Sequence, residues 1–351
     1  MIPKIHPSFK LNGHSLNYEG IMTVAYSYVK EGEEWEKQVG DFLLSWLDDF
    51  DVVTVKTSGS TGIPKEYKLK KQHMINSAVM TGKRFDIGIE KDVLCCLPLS
   101  YIAGKMMLVR AMTLGWHIDL VQPSTTPLKK VEKRYDFTAM SPLQVSKSLD
   151  DIHKVRKVII GGGAVSQGLI QRLNGKHTQA FHTYGMTETA SHIAVRQLYP
   201  IYEENYSVVE NVTIEKDHEG KLVIHAPELA RTSLVTNDLV DLINEKEFKI
   251  LGRVDDVINT GSVKVHPVQV EQKLSIHILE PFFLSAREDE ELGQKVILVI
   301  QGEKRDLKPA FKKLDKFEVP KEIYFLKEFA LTHTGKIDKR VVLEKLFSDN
   351  R

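Results

Sequence analysis

Cysteine is nearly absent from this sequence. Its 351 residues hold two, Cys95 and Cys96, side by side in an apolar run. Neighbouring cysteines are poorly placed to bridge each other, and this spacing supplies neither a disulfide framework nor a metal-ligand set. They read as two buried thiols in a reducing compartment. Net charge is equally scarce: 48 Lys and Arg against 47 Asp and Glu leave +1. No global field draws the chain to nucleic acid or to a membrane surface, so any anion site must be local. Long apolar runs are lacking too. No stretch approaches the roughly 20 apolar residues of a membrane span, and the start, MIPKIHPSFKLNG, has no apolar core of signal-peptide length. A cytoplasmic protein is expected. Repeats and low-complexity segments are missing as well. What is present, 42% hydrophobic and 27% charged residues, is ordinary for a globular protein, and the length allows two or three domains.

The pattern along the chain is alternation. Residues 38–50, QVGDFLLSWLDDF, place Val39, Phe42, Leu43, Trp46, Leu47 and Phe50 on one helical stripe. DVVTV reads as a strand, KQHMINSAVMTGKRF as a helix, DVLCCLPLS as a short apolar run, and AGKMMLVRAMTLGW as a helix again. HIDLVQP, FTAM and KVRKVIIGGG continue the strands, with VSQGLIQRLNG as a following helix. Buried strands alternating with helices predict an α/β fold with a largely parallel sheet. Ligands of such sheets bind in loops at the carboxyl ends of the strands. After about residue 200 the texture becomes hairpin-like, then mixed α+β from Gly252 onward. That predicts a large N-terminal domain, residues 1–251, and a small C-terminal one, residues 252–351.

Three loops leaving expected strands are rich in small residues: SGSTGIPK, GGGA and TYGMTETAS. In the first, Gly59 and Gly62 let the backbone approach a ligand closely. Its amides, with hydroxyls from Thr57, Ser58, Ser60 and Thr61, can surround phosphate oxygens, and Lys65 adds a point charge. The phosphate loop of nucleotide hydrolases needs a Gly-Lys pair followed by Ser or Thr. Here Pro64 precedes the lysine and Glu66 follows it, so that spacing fails. Taken alone, the loop is as well explained by solvation.

The order of motifs says more than any one of them. TSGSTGIPK, GGGA, YGMTETAS, TNDL, GRVDDVINTGSVKVHPVQVE and TGKIDKR occur in that sequence between Thr57 and Arg340. This arrangement resembles the acyl-adenylate-forming, AMP-binding superfamily of acyl-CoA synthetases, luciferases and peptide-synthetase adenylation domains. The resemblance implies a large domain of mostly parallel sheets flanked by helices and a small mobile C-terminal lid hinged near Asp255. It implies two half-reactions. A carboxylate attacks the α-phosphate of ATP, giving an acyl-adenylate and pyrophosphate; a thiol, usually that of CoA, then displaces AMP.

By the same resemblance, Thr57 to Lys65 hold the β- and γ-phosphates. Gly161, Gly162, Gly163 and Ala164 leave room for the flat adenine. Tyr184, with Gly185 beside it, covers the base, and Thr187 meets the α-phosphate. Glu188 is the Mg2+ ligand, a hard oxygen donor suited to a metal that bridges phosphates. Asp238 and Arg253 contact the ribose, and Gly261 lies along the pantetheine tunnel. Lys336 is the catalytic lysine of adenylation. A cation touching both the carboxylate and the α-phosphate stabilises the charge that forms when two anions meet.

The chain also departs from the family's pattern. Only 56 residues precede Thr57, far fewer than in most relatives, so the sheet system at that end is expected to be reduced. Tyr101, in LPLSYIAG, stands where the family usually has His or another aromatic at the acyl pocket. Ser262 replaces a commoner second glycine, and Ala330 a commoner proline. The segment from Thr187 to His192 is similar to that of the o-succinylbenzoate–CoA ligases of menaquinone biosynthesis. Such a substrate has a second carboxylate that stays charged and needs a cation. Lys105 and Arg110 are offered by the helix after Tyr101; five residues apart, they need not share a face. Ser191 and His192 can add hydrogen bonds. Another aryl or short-chain acid, a carrier-protein acceptor, or a non-catalytic adenylate-binding relative are the alternatives. The expected partners are ATP, Mg2+, CoA and a small carboxylic acid.

Overall fold

The computed structural model describes residues 3–56, 66–230, 232–332 and 337–348. The chain divides into two compact units. One comprises Met1–Gly163, Leu173–Thr213 and His225–Leu234; the other Ala164–Arg172, Ile214–Ile224 and Val235–Arg351.

The strands of the first unit are β1 (Lys10–Leu11), β2 (His14–Ser15), β3 (Val52–Lys56), β4 (Glu66–Lys70), β5 (Asp92–Cys95), β6 (His117–Leu120), β7 (Tyr135–Met140), β8 (Val155–Ile160), β9 (Gln179–Gly185), β10 (His192–Tyr199) and β11 (Tyr206–Val208). In the main sheet they run β11-β10-β9-β8-β7-β5-β6-β1-β2. The pairs from β9 through β8, β7, β5 and β6 to β1 are parallel, as the buried apolar runs predict. β10 is antiparallel to both β9 and β11. β3 and β4 form a separate antiparallel ribbon, with Val52 opposite Lys70 and Lys56 opposite Glu66.

The helices are α1 (Tyr18–Glu31), α2 (Glu34–Leu47), α3 (Lys71–Phe85), α4 (Ile102–Leu114) and α5 (Pro142–Lys147). α4 is apolar almost all round and packs on β5, β6, β7 and α3, burying every residue from Met106 to Met112. A helix so enclosed has no solvent face on which to place a charge, yet Arg110 is in it. In α2, Val39, Phe42, Leu43, Trp46 and Leu47 are buried as their spacing predicts. Phe50 is not on that stripe. The helix stops at Leu47, the Asp48 carboxylate accepts from the Phe50 amide, and the Phe50 ring is 72% exposed.

The second unit contains α6 (Gln167–Leu173) and a meander of β12 (Thr213–Lys216), β13 (Lys221–His225), β14 (Leu234–Asn244) and β15 (Glu247–Arg253). A further sheet comprises β16 (Ile258–Thr260), β17 (Val263–Val265), β18 (Phe282–Asp289), β19 (Gly293–Gln301) and β20 (Glu322–Leu326), ordered β17-β16-β19-β18 with β20 also on β19. Period-two alternation along β19 splits its core. Val296, Leu298 and Ile300 pack with Val270 and Leu274 of α7 (Pro267–Leu274), while Ile297 and Val299 pack with Val342 of α8 (Lys339–Ser348). This is the smaller α+β sheet region expected toward the C-terminus.

Candidate active site

The glycine turn Gly161–Gly163 leaves the carboxyl end of β8, where the Gly161 amide donates to the Met140 carbonyl at 3.2 Å. Gly162 takes φ +78°, and a Cβ built there would meet nothing within 4 Å. At Gly162 the turn thus presents bare backbone to open space, whereas a Cβ at Gly161 would lie 2.9 Å from the Thr183 hydroxyl. His182 of β9 closes the turn from below: Nε2 lies 2.9 Å from the Gly163 carbonyl oxygen and Nδ1 2.8 Å from the Tyr206 hydroxyl.

Tyr184 and Gly185 were expected in a loop. They are the last residues of β9, because Tyr184 pairs with Ala194 and Gly185 with His192 across the antiparallel β10. The Tyr184 ring stands edge-on to Tyr206 at 6.0 Å. At Gly185 the returning chain is so close that an added Cβ would lie 2.3 Å from the Ser191 carbonyl oxygen. The intervening turn carries Thr187 and Glu188 on a single 3-10 turn, both half-buried. Thr189 holds it together. Its buried hydroxyl accepts from the Met186 amide at 3.2 Å and has the carbonyls of Met186 and Ser191 at 3.0 and 2.7 Å. The Glu188 carboxylate accepts a hydrogen bond from the Tyr67 hydroxyl of β4, which raises the tyrosine's pKa.

Arg110 is 2% exposed. Its Nη2 donates to the Ser191 hydroxyl at 2.5 Å and its Nε to the Thr81 hydroxyl at 3.2 Å. Ser191 in turn lies 3.2 Å from His192 Nδ1. Burial pushes the guanidinium pKa down to about 10, so it remains charged at neutral pH. No carboxylate pairs with it among the described residues. Burial, with the Arg110 cation next, holds His192 well below the ordinary imidazole range, so the ring is neutral. Arg110, Ser191 and His192 are therefore brought together. Lys105 is not part of this group: its ammonium sits 5.0 Å above the Phe42 ring of α2, and burial lowers its pKa to about 8. Tyr101 is the residue before the first turn of α4, half-buried, its amide donating to the Pro98 carbonyl at 3.3 Å.

In the second unit, Asp238 and Arg253 are direct partners across β14 and β15. The guanidinium reaches Asp238 at 3.2 Å and Asp255 at 3.4 Å, and Asn237 donates to Asp255 at 3.2 Å. The two expected ribose contacts and the expected hinge residue thus form one polar cluster. Ala164 falls in this unit, just before α6. Gly261 and Ser262 turn the β16–β17 hairpin with φ +55° and +67°, the left-handed pair of a two-residue turn. Thr57, Ser58, Gly59, Ser60, Thr61, Gly62, Lys65 and Lys336 lie outside the described residues.

Glu188 meets the chemistry of a Mg2+ site as a single hard oxygen donor. Among the described residues no group of three His, Cys, Asp or Glu could hold a metal alone. The remaining ligands would have to be phosphate oxygens and water, as for a metal that arrives with a nucleotide. Sequence reasoning did not single out His182, Thr189 or Tyr67. Thr189 had a signal, its place inside TETAS; the other two act through pairings distant in sequence.

Known proteins share this architecture. A 2-succinylbenzoate–CoA ligase from Bacillus cytotoxicus is 27% identical over 342 residues, covering 83% of this chain and 69% of that protein. The structure of an acyl-CoA synthetase (AMP-forming)/AMP-acid ligase II-like protein from Dyadobacter fermentans is 33% identical, with TM-score 0.62, covering 93% of this chain and 98% of that one. The o-succinylbenzoate coenzyme A synthetase of Bacillus subtilis, solved with AMP, shares the fold at TM-score 0.70 and 22% identity, covering 81% of this chain and 67% of that one. The model of the family described as AMP-binding enzyme matches residues 26–232, more than half of the 351, and the chain belongs to that family.

Proposed function

We propose that this chain is an AMP-forming acid–thiol ligase that converts o-succinylbenzoate to o-succinylbenzoyl-CoA, a cytoplasmic step of menaquinone biosynthesis. The observation that carries the choice of acid is Arg110. A buried cation without an anion costs several kcal/mol, and here it is bonded to two hydroxyls with no carboxylate partner among the described residues. A substrate bearing a second, unreacted carboxylate supplies the missing charge. The Bacillus cytotoxicus relative is a ligase for such an acid.

In this reading the glycine turn Gly161–Gly163, followed by Ala164, receives adenine under Tyr184 and Gly185, and Asp238 with Arg253 takes the ribose hydroxyls. Thr187 donates to the α-phosphate. Glu188, oriented by Tyr67, would hold Mg2+, which neutralises charge on the phosphates when bound. Residues Thr57 to Lys65 take the leaving pyrophosphate, and Lys336 stabilises the α-phosphate and the attacking carboxylate. Arg110, Ser191 and His192 fix the far end of the acid, with Tyr101 beside the pocket. We place the mobile lid at residues 252–351, hinged at Asp255, with Gly261 on the pantetheine path.

The test is product identity. Incubation with o-succinylbenzoate, ATP, Mg2+ and CoA should yield the CoA thioester and AMP by mass spectrometry. ADP in place of AMP, or no thioester with this acid, would overturn the proposal.

A further inference from the structure

One buried histidine is not used by the chemistry above. His182 is 7% exposed, and each ring nitrogen has a defined neighbour. Nε2 faces the Gly163 carbonyl oxygen, which can only accept, so Nε2 carries the proton. Nδ1 then offers its lone pair to the Tyr206 hydroxyl at 2.8 Å. The second group at Nδ1 is also a donor: Nη2 of Arg196 lies 3.5 Å away. That guanidinium is itself fixed, stacked 5.0 Å over the Tyr206 ring and donating through Nη1 to the Glu204 carbonyl at 3.1 Å. A proton on Nδ1 would face the Arg196 cation and would force the Tyr206 hydroxyl to turn from donor to acceptor. Burial first, and Arg196 second, lower the imidazole pKa to about 4.

We propose that His182 is a positioning residue for the nucleotide: Tyr206 and Arg196 fix its tautomer, and its Nε2–H holds the Gly163 carbonyl and so the conformation of the Gly161–Gly163 turn. This rests on the reading that the turn receives adenine. Gly162 at φ +78° has no side chain to brace the turn, so its shape depends on bonds to neighbouring backbone groups. The His182 bond is the side-chain anchor at its C-terminal end.

His182→Asn and His182→Gln separate the role from mere packing. The glutamine amide nitrogen reaches the position of Nε2, whereas the asparagine amide falls short of it. Calorimetric binding of Mg-ATP should weaken about tenfold in His182→Asn, the size of one lost hydrogen bond. His182→Gln should stay within about threefold of the parent chain. In pyrophosphate release the asparagine variant should raise KM for ATP more than it lowers kcat. Tyr206→Phe, which keeps the ring and removes only the hydroxyl, should weaken ATP binding in the same direction. The Nε2–H tautomer should persist in ¹⁵N spectra, because the Gly163 carbonyl and the Arg196 cation still oppose a proton on Nδ1. Equal loss in the Asn and Gln variants, or binding unchanged in both, would overturn His182's role while leaving the nucleotide reading intact. A parent chain that binds no Mg-ATP would overturn both.

Discussion

Arg110 and Ser191 meet in the protein interior, Nη2 to Oγ at 2.5 Å, across 81 residues of sequence. The contact ties the middle of α4 to the end of the loop that carries Thr187 and Glu188. Hydrogen bonds to a charged group are worth about 1.5–3 kcal/mol, or roughly 10- to 150-fold in rate. Arg110→Met should therefore lower kcat/KM for o-succinylbenzoate by about 100-fold and leave turnover of a one-carboxylate aryl acid nearly unchanged. Its stability should not fall, because the substitution removes the desolvation cost of a buried charge that has no anion partner among the described residues. Urea titration and steady-state kinetics on the same variant check both halves.

Gly185 sits where β9 ends against the returning chain. An added Cβ would lie 2.3 Å from the Ser191 carbonyl oxygen and 2.5 Å from His192 Cα, both backbone atoms that cannot swing aside. Gly185→Ala should cost about 1–3 kcal/mol or more and abolish pyrophosphate release. The loss should exceed that of Gly88→Ala, an exposed site where an added Cβ meets nothing within 4 Å, measured by urea midpoint.

Acid should destabilise the fold through the buried imidazoles. His182 titrates at about 4 when folded against the ordinary 6.5, so the unfolded chain takes up the proton first as pH falls. The stability it contributes is complete above pH 6.5 and is lost progressively between 6.5 and 4, in total about 3 kcal/mol. His192, shifted the same way by burial, adds to the slope. The urea midpoint should drop between pH 7.5 and pH 5, and His182→Gln should flatten that dependence. An unchanged slope in the variant would count against it.

The role proposed for Lys336 predicts that its loss separates the half-reactions. Lys336→Ala should reduce pyrophosphate release by about a hundredfold or more and largely spare thioester formation from supplied acyl-adenylate and CoA. Equal loss of both steps would contradict the assignment of Lys336 to adenylation alone.

Local periodicity made much of the architecture legible. KQHMINSAVMTGKRF is the whole of α3, and DVVTV covers all of β3 but its last residue, Lys56. The apolar runs correctly implied parallel pairing, since only strands covered on both faces dispense with polar alternation. The antiparallel return through β10 was not visible, because it depends on which distant strand Tyr184 and Gly185 pair with. That missed pairing also concealed His182, whose partners are Gly163 and Tyr206. Of the two cations offered to the acid, sequence could not choose. Five residues turn a helix by about 140°, and this rotation sends Lys105 to Phe42 and Arg110 to Ser191. The roles assigned to Thr57–Lys65 and Lys336 rest on the order of motifs alone, since neither segment is distinctive by itself and both lie outside the described residues.

The most direct measurement is ATP-dependent pyrophosphate release with o-succinylbenzoate, benzoate and succinate, in the parent chain and in Arg110→Met. Strong preference for o-succinylbenzoate in the parent, collapsing in the variant, is the predicted result. Equal use of all three acids by the parent, or a preference that survives loss of Arg110, would contradict the assignment of that buried cation to the substrate's second carboxylate.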